Sequence, residues 1–299
     1  MLRGERFNRA DRVIKVGFWI NLVLMVMKLA AGYYGNSEAV FADGLESACD
    51  FIGIGLTIIA LKVGRKPFDA DHPYGHGKVE SLSAIFVSLV IGGTGAWILY
   101  AAVETMVIGN YQAPSLIAVG AAAITIVIKE ALYRYSVKVG DTLKSPALLA
   151  IAKDHRKDAI TSVATLVGVT GAWFGFRIMD PLAAGLTSFF IFHIGYQTFR
   201  TSAHELMDGL PEMEMVAAIA DLARSVKGVE SVHDIRARHS GQFVIVDLQL
   251  GMDPQMTVKE SHDIATEVKR RIFDTFANVG DVMIHINPSD EPHDDLIRL

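Results

Sequence analysis

The chain has 299 residues, of which 51% are hydrophobic, a mean hydropathy of +0.32 and a formal net charge of −5. That balance is too apolar for an ordinary soluble domain and points to a protein that crosses a membrane several times. The acidic sum argues against a nucleic-acid partner, and a single cysteine, Cys49, excludes an internal disulfide and suits a protein facing the cytoplasm.

The chain opens with Arg3, Arg6, Arg9, Arg12 and Lys15. No cleavable small-residue site follows, so the start does not read as a signal peptide. Runs long enough to cross a bilayer are expected near 13–35, 38–63, 80–107, 113–137, 146–176 and 180–206, giving a bundle of six transmembrane helices over residues 1–207. Basic residues cluster before the first span, in the second loop (Lys62, Arg65, Lys66) and around the fourth (Arg134, Lys138, Lys144). The loops GYYGNSE and VIGNYQAP have none. By the positive-inside rule both termini are expected in the cytoplasm.

The second span begins ADGLESACD, which puts Asp43, Glu46 and Asp50 on its first half. Glu46 and Asp50 are four apart and share a helix face, which Asp43 can join. The fifth span repeats the spacing in IAKDHRKDAITS with Asp154 and Asp158, and His155 lies between them. Ionisable groups inside a span are costly and as a rule face a cavity or pathway. Two helices with matched acidic pairs can therefore cage a cation. The bland alternative pairs these carboxylates with Lys153, Arg156 and Lys157 near the membrane surface. Lys28, Glu104, Lys129, Glu130 and His193 read as partnered structural groups, and the glycines of IGGTG and GVTG as close helix contacts.

Between spans two and three, FDADHPYGHGKVES gathers Asp69, Asp71, His72 and His76 among turn-forming Pro73, Gly75 and Gly77. Two imidazoles and a carboxylate suit a transition metal; a polar loop with surface histidines is the alternative.

Residues 1–207 hold 19 Lys and Arg against 16 Asp and Glu, whereas residues 208–299 hold 9 against 17. The texture changes there too. PEMEMVAAIADLARSVKG reads as a helix, VESVHDIRARH and QFVIVDLQLGM as strands joined by a hairpin at Ser240–Gly241, TVKESHDIATEVKRRIFDTF as a second helix and GDVMIHINP as a third strand. The expected order is αββαβ, an α+β domain over 208–290, followed by an acidic tail at 291–299. A two-residue hairpin at Ser240–Gly241 would set His233 opposite Leu248 and leave Asp247 on the other face; a three-residue turn would put both on one face.

HPYGHGKVES before span three, the paired acids of spans two and five and LMDGLP after span six together resemble the cation diffusion facilitators, which export divalent metals in exchange for protons. The resemblance runs along essentially the whole chain. It implies a homodimer in the inner membrane of a bacterium and a metallochaperone-like cytoplasmic domain that packs against its twin. It implies a transport site at Glu46, Asp50, Asp154 and Asp158, with Asp43 and His155 as accessory groups. It further implies a loop metal site at Asp69, His72 and His76. Lys78, Asp208 and Arg238 match an interdomain charge cluster. His233, Asp247, His262 and His285 fall where relatives place ligands for a structural or regulatory metal, although Asp247 and Asn287 depart from the His and Asp usual there. A metal-free dimerisation domain is the alternative.

Zinc-transporting members carry His at the first position of one or both pairs, where this chain has Glu46 and Asp154. An all-carboxylate cage is hard and favours Mn²⁺ or Fe²⁺, with Zn²⁺ next. Cys49 reads as a small buried hydrophobe rather than a sulfur ligand. Four carboxylates in a partly desolvated cavity cannot all ionise comfortably, so protons and a dication compete for them. Lys157 either offsets part of that charge or snorkels to the cytoplasm. The rival readings are a membrane-anchored metal sensor and a membrane metalloenzyme built on His72 and His76. The second lacks the Glu after the first His, and Pro73 and Gly75 forbid the helix it needs.

Overall fold

The computed structural model describes residues 3–290; the acidic tail expected at 291–299 lies outside the described residues. Six long helices come first: α1 (Arg3–Tyr34), α2 (Glu38–Gly64), α3 (Lys78–Ile108), α4 (Leu116–Leu143), α5 (Pro146–Trp173) and α6 (Met179–Leu206). Then follow α7 (Met213–Arg224), β1 (Ser231–Ser240), β2 (Phe243–Met252), α8 (Val258–Thr275) and β3 (Val279–Pro288), the αββαβ order. The chain forms two compact units. One takes the residues up to Gly55 together with Val87–Gln197; the other takes Leu56–Phe86 and the chain from Thr198 onward.

The first unit is helical. Among the described residues four helices, α1 to α4, are long and apolar enough to cross a membrane. Side chains such as Trp19, Val23, Val107, Ile117, Val127 and Ile160 stand exposed along the helices, as expected where the solvent is lipid. The α4–α5 connection is a tight helical hairpin: Lys144 takes a left-handed φ of 49°, Ser145 caps α5 by accepting from the Leu148 N–H, and Pro146 fills its first turn. α4 runs to Leu143, beyond the apolar run that ends near 137, because its last two turns are polar yet still helical.

Small residues set the helix spacing. A Cβ on Gly195 of α6 would lie 2.6 Å from the Gly92 nitrogen of α3, and one on Gly95 would lie 2.6 Å from the Phe192 nitrogen. A side chain at either position must push the helices apart. At the start of α6, buried Asp180 accepts from the Ser37 hydroxyl and the Glu38 backbone N–H, each at 2.6 Å. A carboxylate there satisfies donors at the N-terminus of α2 that have no partner within the helix.

In the second unit the sheet order is β1-β2-β3, with β1 and β2 antiparallel and β2 and β3 parallel. One sheet face is apolar: Val244, Val246, Leu248 and Leu250 of β2 pack with Ile219 and Ala223 of α7 and Val268 and Ile272 of α8. Thr257 and Glu260 cap α8 reciprocally, at 2.9 Å and 3.2 Å. The Thr257 backbone N–H, then its hydroxyl, holds the Glu260 carboxyl below its ordinary range. That part of the cap persists at neutral pH and is lost only as acid titrates the carboxylate.

The hairpin differs from the expected Ser240–Gly241 turn. Ser240 pairs with Phe243, so Gly241 and Gln242 form the turn, Gly241 supplying a positive φ of 61°. The register then slips between Val232 and Asp234, leaving His233 in a bulge. The extra residue turns His233 to the face away from the helices: its Nε2 lies 3.1 Å from the Ser231 hydroxyl, and Ser231 pairs with Gly251.

Replacing Gly195 with Leu should collapse the yield of monodisperse protein in detergent, whereas Gly93→Leu, with nothing within 4 Å of its added Cβ, should be tolerated. Size-exclusion chromatography of the two variants side by side reads the difference.

Candidate metal sites

The acidic half of α2 does not stand bare. The Lys28 ammonium of α1, buried, donates to Asp43 Oδ1 at 2.8 Å, to the Asp43 carbonyl at 3.0 Å and to the Ser47 hydroxyl at 2.6 Å. The other Asp43 oxygen accepts from the Ser162 hydroxyl of α5 at 3.1 Å. Both oxygens of Asp43 are thus engaged, and the group joins α1, α2 and α5. On α5, Asp158 accepts from the Lys129 ammonium of α4 at 2.6 Å. Neighbouring Glu130 is held by Arg134 at 2.8 Å and by Arg156.

Glu46 lies within electrostatic range of Asp43, Asp50, Asp158 and Lys28, and Asp50 within range of Asp158, Lys157, Lys129 and Lys28. The carboxylates of α2 therefore share a neighbourhood with Asp158. They are not closed into a cage: among the described residues, no three of Glu46, Asp50, Asp154 and Asp158 bring ligand atoms within 4.8 Å of one another. Asp154 is exposed on α5. His155 is buried, with its Nε2 unpartnered and 3.5 Å from where a Cβ on Gly17 of α1 would stand. Its ring is packed on α1. Cys49 is buried beside Thr94.

The group that does close is in the second unit. Asp69, His72 and His76 each offer a ligand atom within 4.8 Å of the others. Asp69 Oδ1 lies 3.2 Å from His72 Nδ1, and Oδ2 lies 3.4 Å from His76 Nε2, with the rings 4.5 Å apart. The His72 backbone N–H donates to Asp69 Oδ1 at 2.7 Å and is the first cause holding that carboxyl below its ordinary range. His76 Nδ1 is buried without a partner. The segment is a set of turns, with Gly75 at a φ of 81°, so His72 and His76 do not share a helix as a zinc-hydrolase pair would. Lys78 pairs with Asp208 at 2.8 Å. Arg238 stacks over the Tyr74 ring, 5.4 Å from its centroid.

The sheet sorts the remaining histidines. Asp247 pairs with Met283, Gln249 with His285 and Gly251 with Asn287, which places Asp247, His285 and Asn287 on the same open face as His233. His262 is exposed on α8, over the opposite face.

The Cation efflux transmembrane domain family matches residues 14–207, and the Cation efflux protein, cytoplasmic domain family matches residues 211–289. The chain belongs to the cation diffusion facilitator family. Such proteins are membrane transporters that export metal cations, and so is this one. It is 35% identical over 294 residues to the manganese efflux system protein MneP of Bacillus subtilis, covering 96% of this chain and 99% of that one. It is 33% identical over 279 residues to the magnetosome protein MamB of Paramagnetospirillum magneticum, covering 93% and 94%. A solved C-terminal domain of MamM, in a copper form, aligns with 25% of this chain and 74% of its own at 26% identity and a TM-score of 0.25, too slight to add to what the strands themselves show.

Lys28 and Lys129, which read as structural groups in the sequence, have acidic positions of α2 and α5 as their partners. The signal was available: a lone lysine amid apolar residues needs an acid within reach of its stem.

Lys28→Met should destabilise the protein by about 3–5 kcal/mol, because it strands a buried carboxylate. Adding Asp43→Leu should recover most of the loss. Thermal unfolding in detergent of the single and double variants checks both.

Proposed function

We propose that this facilitator exports Mn²⁺ or Fe²⁺ from the cytoplasm in preference to Zn²⁺, in exchange for protons. The transport site is Glu46 and Asp50 of α2 with Asp154 and Asp158 of α5. The observation that carries the metal preference is the placement of His155. With its ring packed on Gly17, the donors left on the facing helices are carboxylate oxygens, a set suited to hard cations. Asp43 drops out of the donor set because Lys28 and Ser162 occupy its oxygens. The name of the relative MneP, a manganese efflux protein, supports the same preference.

The cycle runs by alternating access. With the site open to the cytoplasm, a dication draws the carboxylates of α2 and α5 together and displaces protons. Movement of these helices turns the site outward, and returning protons release the ion. All six long helices span the membrane, with both termini in the cytoplasm of a bacterial cell, and the protein works as a homodimer. The membrane domain is residues 1–207 and the cytoplasmic dimerisation domain 208–290, joined by the Lys78, Asp208 and Arg238 cluster. Asp69, His72 and His76 take a second metal in the loop. In the cytoplasmic domain His233, Asp247 and His285 offer a third position from one sheet face, while His262 on α8 could join it only from elsewhere than that face.

Asp154→Ala should abolish Mn²⁺-driven proton movement in proteoliposomes while the protein still elutes as a folded dimer. Undiminished exchange would reject the assigned site. Asp154→His should move the selectivity series toward Zn²⁺ relative to Mn²⁺, and a competition assay among Mn²⁺, Fe²⁺, Zn²⁺, Co²⁺ and Cd²⁺ that returns the same order in both proteins would reject the oxygen-donor argument.

A further inference from the structure

Lys28 and Lys129 make similar bonds in different surroundings. The Lys28–Asp43 pair is closed on both sides, with side-chain exposures of 2% and 6%, and its carboxylate is not a proposed ligand. The Lys129–Asp158 pair is lopsided: the lysine side chain is 6% exposed and the aspartate 34%. The ammonium is thus buried behind a carboxylate whose other side is open. That carboxylate also belongs to the proposed transport site, and Asp50 of α2 lies within electrostatic range of the same ammonium.

A dication that takes Asp158 as a ligand meets the lysine as a competitor. Both bind the same carboxylate, the lysine at its Oδ2, and each repels the other across a few ångströms of low-dielectric surroundings. A compact ammonium on a flexible four-carbon stem can yield its place without moving the helix that carries it. We propose that Lys129 is a tethered surrogate cation. It neutralises Asp158 while the site is empty, is displaced when the metal binds, and on returning helps to expel the metal. The inference rests on the assignment of Asp158 to the transport site. Lys129 acts through Asp158, as a positioning residue, and keeps the affinity low enough for release.

The test is Mn²⁺ transport by the full-length protein in proteoliposomes, read as KM and kcat separately. Lys129→Met removes the charge and keeps the apolar stem. It should lower KM by about tenfold, as expected when one nearby like charge is removed at intermediate dielectric, and should lower kcat several-fold because the ion leaves slowly. An unchanged or raised KM overturns the proposal, since a lysine that merely organises the site would weaken binding when lost. If Lys129→Met does not reconstitute, Lys129→Arg decides. Its guanidinium grips a carboxylate with two parallel bonds and should raise KM about threefold; an unchanged or lower KM overturns the proposal. Asp158→Asn separates the two levels. If it leaves KM unaltered, the site assignment fails and the proposal with it. If it raises KM while Lys129→Met changes nothing, the proposal alone fails.

Discussion

A carboxylate inside an apolar helix bundle must have a cation or hydrogen-bond donors aimed at it, and the first unit is organised around that demand. An ionised acid without a partner in such surroundings is too costly to persist. Two lysines meet the requirement from helices outside the acidic pair: Lys28 from α1 and Lys129 from α4. The first closes a joint among α1, α2 and α5 that includes Ser47 and Ser162. The second sits on Asp158, a member of the proposed transport site. A protein that carries metal cations thus holds one monovalent cation of its own, the Lys129 ammonium, against a proposed ligand.

The fold supplies the geometry for this. The two-residue connection between α4 and α5 fixes those helices side by side, so that Lys129, 14 positions before the end of α4 at Leu143, comes level with Asp158, 12 positions after Pro146. α1 packs along the same pair, from Val13 beside Leu143 and Leu148 up to Gly17 beside His155. With His155 seated on α1, Asp158 is the α5 donor that lies near the carboxylates of α2. In the proposed reading selectivity and packing are linked, since the imidazole that could have supplied a nitrogen ligand is buried against another helix.

Much of this was legible in the sequence, for physical reasons that differ by element. The long helices follow from uninterrupted apolar runs, and the αββαβ order from changes of hydrophobic period that Gly228 and Gly241 punctuate. The Asp69, His72 and His76 group was legible because its residues are close in the chain and turns bring them closer. What the sequence withheld depends on long-range packing. The i, i+4 spacing put Glu46 and Asp50 on one face but gave no sign that a lysine 29 residues before Asp158 occupies its carboxylate. Nor could periodicity settle the direction of His155. In the sheet, alternation marked the strands, but the bulge at His233, which moves that histidine to the face of Asp247 and His285, is a local insertion that alternation cannot reveal. The turn lies one residue beyond Ser240–Gly241 for a related reason: both Ser240 and Gly241 favour turns, and only the pairing of Ser240 with Phe243 shows which residue leaves the ladder.

In the metal-free arrangement Glu46, Asp50 and Asp158 share a neighbourhood, Asp154 stands exposed on α5, and the four proposed ligands do not form a closed cage. The account requires that a dication closes it. Anomalous diffraction from crystals grown with Mn²⁺ tests this most directly. The account predicts a peak between α2 and α5 bonded to oxygens of Glu46, Asp50, Asp154 and Asp158, with Lys129 withdrawn from Asp158. A peak coordinated by His155, or Mn²⁺ found only elsewhere while those four carboxylates stay apart under saturating metal, would contradict it.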